Sequence, residues 1–156
     1  MKLVDWLKKW NLDSLKLKLE FLEMELSFSD TEKDAAWELY IELITRITTQ
    51  SLGDNQGDKV TALNSVFTVF GFTRECLKRH GRKCQNFAPI AITVLNQIIR
   101  PFTAKWHKVN LDNEGIPDKF DVEFRKDLLD TQTQLLHYTK LLGDIAEVKK
   151  DFTLLS

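Results

Sequence analysis

The chain has 156 residues, of which 43% are hydrophobic and 29% charged. That is enough to bury a core without disulfides or a structural metal, and it excludes a disordered chain. The net charge of −1 and the pI near 6.3 argue against a dedicated nucleic-acid protein, and two cysteines supply no disulfide framework. With no secretory leader pattern, the expectation is one domain over residues 1–156, cytoplasmic and without a membrane span.

The opening Trp6-Leu7-Lys8-Lys9-Trp10 reads as a short amphipathic helix that packs both tryptophans on the core; lying on a membrane surface is the alternative. Leu15, Leu17 and Leu19 then alternate with lysines. After a phase change, Leu22, Met24, Leu26 and Phe28 alternate with Glu23, Glu25 and Ser27. Period-two patterning with one shift predicts a small β element, one bulged strand or a hairpin, although leucine and glutamate leave a helix open. Ser29-Asp30-Thr31-Glu32 has capping-box spacing and starts a helix to about Gln50, with Trp37, Tyr40, Ile41, Ile44 and Ile47 as its apolar face.

A loop over residues 52–59 leads to a helix from about Val60 to His80, which Gly81 stops. The next helix begins at Pro89 and runs to Arg100, where Pro101 ends or kinks it. It is apolar almost all round and is expected to be central. A loop over residues 109–117 precedes a last helix to about Lys150. In that helix Phe124, Leu128, Thr131, Leu135, Tyr138, Leu142 and Ile145 step by four and three, a heptad period suited to a bundle or to a second copy. Gly143 weakens that helix near its end. The fold class is therefore mainly α, a helical bundle with a small N-terminal β element.

Positive charge is concentrated in Thr73–Lys108, where eight basic residues face one acid, a net +7, so the remaining residues sum to −8. Arg74 falls in the apolar stripe of Leu63, Val66, Phe67, Phe70 and Leu77, so it is expected to need an anionic partner. Arg100 lies in a narrow polar sector with Thr93, Asn96 and Gln97, and Lys105 and His107 follow the proline. Arg46, Arg74, Asn96, Arg100, Lys105 and His107 are thus the candidate residues for a ligand or partner. If Arg74, Arg100, Lys105 and His107 converge, they form a phosphate-sized pocket. The competing expectation is that these arginines pair internally with Glu38, Glu42 or an acid of the last helix, as Arg46 does with Glu42 at helical i,i+4 spacing.

Cys76-x3-His80-x3-Cys84 is a weak metal candidate, because Gly81 breaks the helix before Cys84; buried inert cysteines and a solvated histidine are the plainer expectation. A Cys/His nucleophile has no activating motif, and no phosphate loop, paired carboxylates or serine elbow appears. No cofactor is implied.

Ala35-Ala36-Trp37-Glu38-Leu39-Tyr40 with Thr45-Arg46 to Gln50, Phe72-Thr73-Arg74-Glu75, Leu95-Asn96 to Arg100-Pro101-Phe102, and Lys105-Trp106-His107 together resemble a family of small helical bacterial proteins. Members of that family are met in genomic islands and are associated with phage-defence systems. The resemblance covers residues 1–107 and carries over no catalytic residue. It implies a bacterial accessory protein and coincides with Arg46, Arg74, Asn96, Arg100 and His107. The expected function is a non-enzymatic helical binding module of a bacterial multi-protein assembly, acting through protein contacts or self-association. The alternative is nucleic-acid or nucleotide binding through residues 73–108.

Overall fold

The computed structural model describes residues 1–46 and 56–155, and in them the protein is a helical bundle. The elements are α1 (Leu3–Lys9), α2 (Leu19–Leu22), α3 (Asp30–Arg46), α4 (Gln56–His80), α5 (Ala88–Val94), a π turn (Leu95–Ile99), α6 (Arg100–Asn113) and α7 (Asp121–Ile145). Short 3-10 turns follow α4, precede α7 and close the described chain. No helix among the described residues is long and apolar enough to cross a membrane. The bundle centres on α3, which packs most extensively on α7 and then on α4, while α6 covers α4 and α7.

The expected N-terminal β element is not present among the described residues. The only pairing there is an isolated antiparallel bridge between Lys2 and Glu25, made by Leu3 N–H to the Met24 carbonyl and Leu26 N–H to the Met1 carbonyl, both 3.0 Å. Residues 15–18 lie outside regular structure, and Leu19–Leu22 forms one helical turn at the phase change. The alternation does mark inward leucines, since Leu15 and Leu26 are buried. What it lacks is a strand to pair with. A side chain serves instead: Gln97 accepts from Lys16 N–H at 2.7 Å and donates to the Lys16 carbonyl at 2.6 Å. In α1, Leu3 and Leu7 are buried, and Trp6 and Trp10 pack against the core as expected. Trp10 also donates its indole N–H to Asp144 at 3.0 Å.

The capping box forms: Glu32 N–H donates to Ser29 Oγ, and the Glu32 carboxylate accepts from Ser29 N–H, both at 3.2 Å. The buried face of α3 is Ala35, Ala36, Leu39, Tyr40 and Leu43. Trp37, expected on that face, is 44% exposed and stacks on Tyr40. The expected positions Ile47 and Gln50, and residues 52–55 of the expected loop, lie outside the described residues. The end of that loop, residues 56–59, is the start of α4. Gly81 stops α4 as expected, in the left-handed region at φ 75°.

Pro101 does not end its helix. α5, the π turn and α6 follow one another without interruption as far as Asn113, five residues into the expected loop. Proline lacks an N–H, and its ring collides with the carbonyl four residues back in a regular helix. The wider π turn immediately upstream relieves that collision.

The heptad residues Phe124, Leu128, Thr131, Leu135, Tyr138, Leu142 and Ile145 are all buried within the chain. Their period is consumed by the protein's own core, so these residues are not available to a second copy. α7 ends five residues short of Lys150 because Glu147 takes a left-handed conformation (φ 60°). Val148 N–H then donates to the Gly143 carbonyl at 2.9 Å, and Glu147 N–H to the Asp144 carbonyl at 3.2 Å, a Schellman closure.

Gly143 is there for packing. A Cβ on it would meet Tyr40 Cε2 at 3.0 Å. Tyr40 cannot retreat, because its hydroxyl donates to Asp151 (3.2 Å) and accepts from Phe152 N–H (2.7 Å). Gly143→Ala gains up to about 1 kcal/mol of helix propensity, but overpacking costs about 1–3 kcal/mol. The expected net result is a lower urea midpoint at unchanged m-value. A raised midpoint would show that Tyr40 moves freely.

Candidate functional site

Four of the six candidate residues gather on the outer face of α4 and α6. Phe67, Phe70 and Arg74 follow one another at helical spacing on α4, and Arg100 and His107 do so on α6. The Arg100 guanidinium lies over the Phe70 ring, 5.1 Å from its centroid, and donates to Asn96 Oδ1 at 3.2 and 3.3 Å. Phe67 is 5.7 Å from Phe70, and its ring meets His107 edge to face at 4.8 Å. Phe67 is 47% exposed although it belongs to the apolar series of α4. The result is an aromatic cluster ringed by Arg74, Arg100, Asn96 and His107.

Arg74 is corrected in one respect. It is exposed, so water solvates its charge and no buried anion is required. The helical wheel put it within the apolar stripe, but that stripe itself reaches solvent at Phe67. Among the described residues neither Arg74 nor Arg100 has a carboxylate partner.

Lys105 and Arg46 do not join the face. Lys105 points to α7, where it pairs with Asp127 at 2.6 Å and Glu123 at 2.8 Å. Those hydrogen bonds raise its pKa above the ordinary lysine value. Arg46 pairs with Glu42 at 2.6 Å, as its spacing implied, and lies 5.6 Å from the Phe72 ring. The pocket expected from Arg74, Arg100, Lys105 and His107 therefore loses its lysine. Among the arginines of the basic segment internal pairing occurs at Arg79, which holds Glu38 at 2.7 Å, and Lys78 pairs with Glu75 at 3.4 Å. Arg82, Lys83 and Lys108 are exposed.

The expected metal set also divides. Cys76 and Cys84 are both buried, and burial raises both thiols above their ordinary pKa. Such thiols are poor nucleophiles. Gly81 turns Cys84 away from the helical line of Cys76 and His80, as the sequence implied, and the third side chain beside them is Glu38 of α3. His80 is not the solvated residue expected: its Nε2 is buried and without a hydrogen-bond partner.

Sequence reasoning missed two further features. Lys59 is buried and pairs with Asp121 and with Asp118 (3.4 Å), clamping the start of α4 to the start of α7. A groove of about 550 Å³ lies between residues 16–21 and α5, walled by Leu17, Phe21, Pro89 and Ile92 with Lys16 and Lys18 at its edge. Its only sequence signal was the leucine–lysine alternation. Comparison of the chain with family models, with curated proteins and with solved structures gives no match.

Proposed function

We propose that the protein is a non-enzymatic binding module of a bacterial multi-protein assembly, and that the α4/α6 face docks a partner protein presenting an acidic surface. The observation that carries this is Phe67: a large aromatic side chain held half out of the core, edge to face with His107 and beside Phe70, over whose ring the Arg100 guanidinium lies. Exposed aromatics next to arginine are what protein interfaces enrich at their centres. Stacking Arg100 on Phe70 fixes a guanidinium in place before binding, which lowers the ordering cost. The bacterial setting and the antiphage association rest on the family resemblance.

The test is co-purification with the products of the neighbouring genes, followed by affinity measurement on whichever one binds. Phe67→Ala and Arg100→Glu are each expected to weaken that binding by about 2 kcal/mol or more while leaving the fold intact by circular dichroism. Binding insensitive to both variants would refute the reading. Steeply salt-dependent binding of an oligonucleotide through the same residues would replace it with nucleic-acid recognition. A dimer in light scattering that both variants dissolve would make the partner a second copy.

A further inference from the structure

We propose that Glu38, Cys76 and His80 form a zinc-binding site at the seam of α3 and α4. One carboxylate oxygen, the thiol Sγ and an imidazole nitrogen all lie within 4.8 Å of one another. A tetrahedral zinc holds such donors about 3.5 Å apart, given its usual bond lengths. The remaining contraction is small, and it falls on side chains with freedom to move: the side chains of Glu38 and His80 are 33% and 19% exposed. A sulfur, a nitrogen and an oxygen are the donor types that zinc accepts together.

One further observation points to a missing ligand at this place. His80 Nε2 is buried with no hydrogen-bond partner and sits 3.9 Å from Glu38 Oε1, too far for a hydrogen bond. Buried polar atoms are almost always satisfied; among the described residues Trp6 Nε1, His137 Nδ1 and the Tyr138 hydroxyl are also unpaired, and His80 is the one that sits among metal-ligating side chains.

Without metal, Cys76 keeps its proton, since burial and the adjacent Glu38 carboxylate both oppose the thiolate. The thiol donates weakly to the Ala35 carbonyl at 3.5 Å. Zinc would take the thiolate as ligand and release that proton to solvent, so affinity falls as pH falls. Arg79, now on Glu38 at 2.7 Å, is 55% exposed and can swing into water when the carboxylate turns to the metal. Three protein ligands would leave one position of a tetrahedral zinc to water. The site is separate from the α4/α6 docking face, and either reading can fail without the other.

The test uses the tag-free full chain stripped with a chelator and titrated with cobalt as a spectroscopic probe, then with zinc. The expected result is one equivalent of cobalt with a thiolate charge-transfer band and tetrahedral d–d intensity, displaced by zinc. Zinc should also raise the thermal midpoint. His80→Ala and Glu38→Gln, both at the partly exposed edge, should fold and lower zinc affinity by about tenfold or more, losing the thermal shift. Cys84→Ser should keep both signals. No thiolate band, or a band retained in Cys76→Ala or lost in Cys84→Ser, would overturn the assignment.

Discussion

Glu32→Ala is expected to remove about 2–4 kcal/mol of folding stability, because it strands the buried Phe87 N–H and the part-buried Asn86 N–H and opens the capping box. Glu32 is only 2% exposed. One of its oxygens closes the capping box on Ser29. The other accepts from Asn86 N–H at 2.9 Å and Phe87 N–H at 2.6 Å. Those two residues are the approach to α5, whose own N-cap position, Phe87, offers no side-chain cap. The carboxylate of α3 therefore caps α5 as well as its own helix, and its charge suits the positive end of the α5 dipole. Glu32→Gln keeps the shape but turns an amide N–H₂ toward N–H donors, so it should recover little. Urea unfolding at constant m-value reads both variants. A loss below about 1 kcal/mol for the alanine would mean that water replaces the carboxylate.

Trp106→Ala should cost about 3–5 kcal/mol through loss of buried surface and the cavity left behind. Trp106 is fully buried, with its ring edge-on to Phe124 at 5.0 Å and to Phe120 at 5.9 Å. Its indole N–H donates to Asp127 at 3.1 Å, the same carboxylate oxygen that takes Lys105. Trp106→Phe retains most of the ring contact and loses that hydrogen bond, for about 1–2 kcal/mol. At roughly 2–4 °C per kcal/mol for a chain of this size, the alanine variant should melt about 6–20 °C lower. Equal losses for the two variants would assign the whole effect to the Asp127 bond.

The helices were legible where a local rule sufficed. The Ser29–Glu32 box, Gly81 and the heptad of α7 each sit where spacing alone put them, since capping and amphipathic periodicity are properties of neighbouring residues. The failures are non-local. Alternation over residues 15–28 marked Leu15 and Leu26, which are buried, and also Leu19, which is exposed; a strand needs a partner, and here it found a glutamine side chain. Pro101 reads as an end or a kink, and which of the two it makes is not decided until the π turn before it is seen. Within the basic segment, the sequence proposed that Arg74, Arg100, Lys105 and His107 converge. It could not show that Lys105 faces α7, nor that Glu38 of another helix would replace Cys84 beside His80.

The π turn at Leu95–Ile99 also ties the surface chemistry to chain length. A π turn holds one residue more than a regular turn, so everything after it is rotated by about 100° relative to an uninterrupted helix. Upstream, Ile90, Ala91 and Val94 face the core; downstream, Phe102 and Trp106 do, while Arg100 and His107 reach Phe70 and Phe67. Both halves are in phase with the bundle only because of that surplus residue. Deleting Leu95 from this turn would leave Asn96, Gln97, Arg100, Trp106 and His107 all in the sequence. The chain would then have to choose between burying Trp106 and presenting Arg100 and His107 to the aromatic face.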